Sequence, residues 1–294
     1  MTRNEHEDFS FTSSDGLEIA CYRWSHSGRA TGIFQISHGI GDYALRYESV
    51  AAIMSAAGFE VYAIDHRGHG RTAKDRESLG DFGAGGWNAL VADIVTLTQI
   101  ASSQYPQLPV ILLGQGMGSF AVQQFLLEYS QLLSGAVLAG SAALDRLQAA
   151  LVSENLTSFN QDFEPARTPY DWLSRDPVVV DAYVSDPLCT SWLSTSAIKS
   201  LTSAVSRLAD PKELAHIRLN LPIYILAGDK DPMNHHLEWV KALAERYRAA
   251  GMTEVLEKYY AGGRHEMLNE INRDEVIKDL MSWSLRICGS SGTT

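Results

Sequence analysis

From Phe9 to Trp24 apolar and polar residues alternate in two segments around Ser14-Asp15-Gly16. An Asp-Gly pair readily takes the positive φ angles of a tight turn, so the segments read as an antiparallel hairpin at one edge of a sheet. Beyond it the pattern changes. Short continuous apolar runs at Gly32–Ser37, Phe59–Asp65, Val110–Leu113 and Ala136–Gly140 read as strands, and helical segments at Arg46–Ala57, Trp87–Ser103 and Met117–Tyr129 lie between them. Strands that are apolar throughout belong to a parallel sheet covered on both faces. In the second helical segment Trp87, Leu90, Val91, Ile94 and Leu97 recur at the spacing of one helix face and are assigned to the core.

The alternation stops after Ser141. Up to Asp210 there is no clear strand; the stretch holds Pro165, Pro169, Pro177 and Pro187 and the aromatic residues Phe159, Phe163, Tyr170, Trp172, Tyr183 and Trp192. It reads as a mostly helical insertion at 142–210, either a lid over an apolar pocket or a structural cap with no ligand role. As a lid it would offer Phe159, Trp172, Tyr183 and Trp192 as pocket residues. The strand-helix pattern resumes with Pro222–Gly228, a helix over His235–Ala249, a strand at Glu254–Tyr260 and a last helix over Asp274–Arg286. The expected fold is therefore α/β: a mostly parallel eight-stranded sheet with helices on both faces, formed by 1–141 and 211–294, with the helical cap between.

Composition narrows the function. A chain of 294 residues with 45% hydrophobic and 20% charged residues suits one large globular domain with an insertion. The polar, acidic Met1–Ser10 lacks the basic start and apolar run of a signal peptide, and no run nears the roughly 20 apolar residues of a membrane helix. Stable membrane insertion is not expected. Cys21, Cys189 and Cys288 are far apart and lack metal-type spacing, which speaks for a reducing cytoplasm rather than a disulfide framework. A net charge of −11 disfavours nucleic acid, whose binding needs clustered Lys and Arg. A neutral or small ligand fits better. Oligomeric state has no signature in the sequence.

The chemistry concentrates at strand ends. Gly114-Gln115-Gly116-Met117-Gly118 follows one apolar strand and opens a helix, the setting of a G-x-S-x-G nucleophile elbow, but with glycine at the centre. A plain glycine-rich turn or a phosphate loop would be the alternatives; neither G-x-G-x-x-G nor a Gly-Lys-Ser loop occurs, so no cofactor is expected. His38-Gly39 follows another strand. In an elbow site the loop there and the residue after the nucleophile each give a backbone N–H to an oxyanion, which would make Ile40 and Met117 the donors. His38 itself reads as a structural, hydrogen-bonded residue. Asp231, with Asp229 as competitor, and then His265 follow the next two strands, in the chain order nucleophile, acid, base.

With these stretches in hand, the chain resembles the monoacylglycerol lipase and lysophospholipase branch of the α/β-hydrolases. The likeness rests on His38-Gly39 with Arg46-Tyr47, on Asp65-His66-Arg67-Gly68-His69-Gly70, on Gly114–Gly118, on Gly228–Pro232 and on His265-Glu266-Met267-Leu268-Asn269-Glu270. It implies a Ser-His-Asp esterase acting on monoacylglycerols or other small carboxylic esters, with a cap that forms an acyl tunnel and no metal. The Asp65–Gly70 turn is structural in that family, so His66 and His69 are not metal ligands. The departure falls on the attacking residue: where the family has Gly-His-Ser-Met-Gly, this chain has Gln115 and Gly116.

Ser119, one turn along, is expected to bond to backbone rather than to replace the nucleophile. Water in the space of the missing hydroxymethyl could be activated by His265, but an unpositioned water loses much of the proximity advantage, and only weak turnover is expected. Three origins fit: an esterase with its serine changed to capture a ligand without acylation, a natural ligand-binding pseudo-hydrolase, or a cofactor-free, lyase-like enzyme with His265 as base. Retention of Asp231, His265 and the oxyanion loop favours the first.

Overall fold

The computed structural model describes residues 6–152, 156–189 and 192–290. Eight strands form one sheet: β1 (Glu7–Thr12), β2 (Glu18–Trp24), β3 (Gly32–Ser37), β4 (Phe59–Ile64), β5 (Val110–Gln115), β6 (Gly135–Ala139), β7 (Ile223–Gly228) and β8 (Val255–Tyr260). Their spatial order is β1-β2-β4-β3-β5-β6-β7-β8. The two leading strands pair antiparallel and β2 joins β4 antiparallel; every other pairing is parallel.

The inner strands are buried on both faces, and their side chains alternate between two cores. Leu112, Leu138 and Ile225 face α2 (Gly86–Gln104), α3 (Met117–Tyr129) and α9 (Glu238–Ala249), whereas Ile111, Leu113, Val137 and Leu226 face α1 (Glu48–Ala56) and α10 (Arg273–Ser290). Period-two alternation with no polar face is what makes these strands read as unbroken apolar runs.

Between β6 and β7 lie α4 (Leu144–Val152), α5 (Pro177–Ser185), α6 (Thr195–Thr202), α7 (Val205–Ala209) and α8 (Pro211–Leu214), with short 3-10 turns at Leu156–Phe163 and Asp171–Leu173. Pro177 and Pro211 occupy first-turn positions behind Asp176 and Asp210, whose carboxylates cap the helices by accepting from Val178 and Lys212 N–H. The segment shares the α2 and α3 core through Leu147, Leu151, Ile198 and Leu201. Part of it is also tied to the loop after β8. The fully buried Glu270 accepts from Arg175 N–H and Nε, both at 3.0 Å, and from Arg264 N–H at 3.1 Å. Among the described residues no helix is long and apolar enough to cross a membrane.

Two helix starts differ in conformation from expectation. The helix assigned from His235 begins at Glu238, because His235, His236 and Leu237 take φ of 51°, 52° and 75° and wind the left-handed way. The Asn234 carboxamide, accepting from Leu237 N–H at 2.6 Å, holds that turn. The helix assigned from Arg46 opens as a 3-10 turn over Ala44–Tyr47.

One close approach lies between β3 and the first turn of α3. A Cβ on Gly118 would stand 2.2 Å from Ser37 O and 2.6 Å from His38 O. Helix propensity alone favours Gly118→Ala by about 1 kcal/mol, yet overpacking against backbone costs about 1–3 kcal/mol. The net outcome expected is a lower urea midpoint for Gly118→Ala, and an unchanged or higher midpoint would contradict the close packing.

Candidate active site

The C-terminal ends of β3, β5, β7 and β8 converge on one pocket. Glycine makes the turn from β5 into α3 possible: a Cβ on Gly114 would lie 2.4 Å from Gly118 O, and Gly116 sits at φ 52°, ψ −117°. Gly116 is held from both sides. Its N–H donates to Ala139 O at 3.0 Å, and its carbonyl accepts from Ser119 N–H at 2.9 Å and Ser119 Oγ at 2.6 Å. The Ser119 hydroxyl is thus bound to backbone in the first turn of α3, with Ser141 Oγ at 2.7 Å as its other neighbour.

His265 stands opposite. Its Nδ1 is 3.0 Å from Asp231 Oδ2, and Asp231 Oδ1 accepts from Met233 N–H at 2.9 Å. Asp229 goes elsewhere, accepting from Gly262 N–H at 2.7 Å. A Cβ built on Gly116 would be 3.0 Å from His265 Nε2 and 3.7 Å from Gly39 Cα. The structure therefore brings Gly116, His265 and Asp231 into line, with Ile40 and Met117 on the wall of the same pocket.

His265 is nearly fully buried, and burial alone depresses a histidine pKa. The charge and hydrogen bond of Asp231 outweigh that burial, helped by the nearby charges of Glu266 and Asp42, and the pKa is raised above its ordinary value. The other strand-end histidines behave oppositely. Burial holds His38, His66 and His69 below the ordinary value. His38 accepts from His66 N–H through Nε2 at 2.9 Å, which leaves Nδ1 to donate to Gly39 O at 2.8 Å. It shapes the loop rather than facing the pocket. Among the described residues no group of His, Cys, Asp or Glu is arranged to hold a metal ion, and all three cysteines are buried thiols.

Of the aromatic residues proposed for the pocket, Trp172, Tyr183 and Trp192 line it. Phe159 does not: its 3-10 segment places the ring behind Trp172, 5.1 Å between centroids, where it supports the wall. The Trp172 ring in turn lies 5.1 Å from that of His265, and its carbonyl accepts from His265 N–H.

Two connections have no local sequence signal. Arg46 makes a two-pronged ion pair with Glu266, at 2.9 and 2.8 Å, and also reaches Asp42 Oδ1 at 2.9 Å. Asp42 Oδ2 accepts from Tyr47 OH at 2.7 Å and, more weakly, from Gly39 N–H at 3.4 Å. Gln115 Nε2 donates to His265 O at 3.1 Å. The loop after β3, the turn after β5 and the loop after β8 are thereby fixed to one another.

Residues 28–272 match the Hydrolase_4 family model, described as serine aminopeptidase, S33. The chain is 32% identical over 286 residues to a monoacylglycerol lipase of Mycolicibacterium smegmatis, covering 96% of this chain and 97% of that one. It is 28% identical over 291 residues to a monoglyceride lipase of Homo sapiens, covering 96% and 91%. Among solved structures, a thermostable carboxyl esterase from Bacillus coagulans, crystallised in complex with glycerol, superposes with a TM-score of 0.88 at 29% identity, covering 96% of this chain and 99% of that one.

The His265–Asp231 pair has a pH signature. Because the folded pKa is raised, its stabilisation is complete below the ordinary histidine pKa of about 6.5 and is lost as pH rises through the raised value. An NMR titration of the His265 ring should give a midpoint above that ordinary value. In Asp231→Asn the midpoint should fall below it, since burial then acts with less opposition. A midpoint unmoved by Asp231→Asn would contradict the coupling.

Proposed function

The chain belongs to the Hydrolase_4 family, in the α/β-hydrolase branch of the monoacylglycerol lipases, and from that membership we propose that its pocket is a serine-type esterase site lacking its serine. The observation that carries this reading is the distance of 3.0 Å from a Gly116 Cβ to His265 Nε2, with Asp231 on the far nitrogen. In the complete site a serine hydroxyl borne in place of Gly116 would attack the ester carbonyl while His265 takes its proton and Asp231 steadies the imidazolium. The N–H groups of Ile40 and Met117 would receive the oxyanion. With Gly116 the ester is bound and polarised but no acyl-enzyme forms. Losing a serine nucleophile can cost about 10⁶-fold in turnover and leave about 10³–10⁴ over water.

The ligand is a small carboxylic ester with an apolar part. The monoacylglycerol class is the first candidate, because relatives that match over nearly the whole chain are monoacylglycerol lipases. Residues 142–210 act as the cap, with Trp172, Tyr183 and Trp192 against the apolar part of the ligand. The three buried thiols fit a reducing compartment, and the acidic net charge speaks against a role for nucleic acid.

Restoring the hydroxyl tests the reading. Gly116→Ser must place a side chain at positive φ, a strain of about 1–3 kcal/mol, and nudge His265 by a few tenths of an ångström; both are tolerable in a scaffold built for it. The variant should release an acyl-enzyme burst from p-nitrophenyl butyrate, hydrolyse a monoacylglycerol and become labelled by a fluorophosphonate. Folded protein with neither burst nor label would overturn the assignment.

A further inference from the structure

Trp172, Tyr183 and Trp192 roof the pocket from the cap, and each is fastened through its own segment to the sheet domain. Residues 171–174 run beside the loop after β8. There His265 N–H donates to Trp172 O at 3.3 Å and Glu266 N–H to Leu173 O at 2.8 Å, while Arg264 Nη1 donates to Asp171 O and Ser174 O. Ser174 Oγ adds a bond to Asn269 O at 3.0 Å. The Arg46 guanidinium stands 4.9 Å from the centre of the Tyr183 ring, and Tyr43 OH donates to Asp186 Oδ2 at 2.7 Å, which holds the end of α5. Beside Trp192, Ser194 N–H donates to Gly80 O at 2.9 Å, and a Cβ on Gly80 would strike Trp192 O. Opening a roof pinned at three places would break all of these bonds together, which sets it apart from the weakly held segments that act as lids.

The roof is also low. The free space beneath it measures about 30 Å³, room for two or three groups of water size, whereas pockets for drug-sized ligands span about 300–1,000 Å³. Ile40, Tyr170 and Trp192 are the half-exposed members of the lining, so the mouth lies among them; Trp172, Tyr183 and Met233 are buried and close the inner end. In acyl transfer the alcohol leaves first and needs the mouth, so the acyl part takes the inner end. We propose that this pocket selects esters of short acids, acetate to butyrate, whose alcohol part extends through the mouth, and that the roof does not lift to admit a longer acyl chain. The proposal rests on the esterase assignment made above and deepens it by naming the acid: within the monoacylglycerols it selects short-chain members such as monobutyrin. Tyr183, at the inner end, sets the length.

Octyl acetate and ethyl octanoate are isomers of equal carbon count that place the long chain on opposite sides of the ester, so comparing them separates fit from hydrophobicity. A surplus methylene in a fitted pocket costs about 10–200-fold. The unaltered chain, titrated by tryptophan fluorescence, should therefore bind octyl acetate at least about tenfold more tightly than ethyl octanoate. In Gly116→Ser, kcat/KM should favour octyl acetate by a similar factor, and adding Tyr183→Ala, which lengthens the inner end, should bring that ratio toward one. Equal or reversed affinities in the unaltered chain, binding of neither isomer, or an unchanged ratio in folded Gly116→Ser/Tyr183→Ala would each overturn the proposal. The two readings fail differently. If Gly116→Ser hydrolyses both isomers equally or prefers ethyl octanoate, only the short-acyl selection falls; if it is inert on both while the unaltered chain still prefers octyl acetate, the esterase assignment falls and the short inner end stands.

Discussion

Everything at this pocket depends on how closely one helix can enter the sheet. The first turn of α3 lies against the end of β3 at a distance that excludes even a methyl group at Gly118, and Gly114 clears the same turn from beneath. That approach does two things together. It lifts residue 116 above the sheet with its carbonyl pinned by Ser119, and it brings the backbone of Met117 alongside the loop that carries Gly39 and Ile40. A larger residue at either glycine would push α3 outward, and the pocket would lose its floor before any reactive group was touched.

Given the turn, the remaining order comes from polar bonds between loops that are distant in sequence. Arg46 and Glu266 are 220 residues apart, and their two-pronged pair closes over the same loops that Gln115 and Trp172 fasten from the other side. A buried pair of this kind adds little to global stability, because desolvation offsets much of its attraction. Its geometric value is greater. Two parallel bonds allow one orientation, so the loop after β3 and the loop after β8 move as one body. The left-handed turn at His235–Leu237 ends the loop that carries Asp231 and sets the start of α9 at Glu238.

The sheet was readable in the sequence because fully buried strands have no polar face, so Val110–Leu113 and Pro222–Gly228 stand out as short, nearly unbroken apolar runs. The order of Gly116, Asp231 and His265 was readable for a related reason, since an open parallel sheet brings successive strand ends to one edge. What escaped was whatever depends on side chains choosing partners after the chain has folded. Nothing local in Glu266 names Arg46. Phe159 and Trp172 have the same apolar character, and only the path of the inserted segment decides that Trp172 lines the pocket and Phe159 stands behind it. The start of α9 was misplaced because a run of non-glycine residues in left-handed conformation has no compositional mark.

The backbone angles of Gly116 carry an evolutionary consequence. A serine held at positive φ stores strain that glycine does not, so exchange of serine for glycine here relaxes the fold while it removes the hydroxyl. Loss of the nucleophile therefore meets no resistance from folding, and the rest of the site can persist unchanged around it. The reverse exchange draws on a reserve of stability that the two buried cores already supply. Serine and glycine are neighbours in the genetic code, so a single point change separates a chain that carries a hydroxyl at this position from one that does not, and neither direction requires the rest of the pocket to be rebuilt.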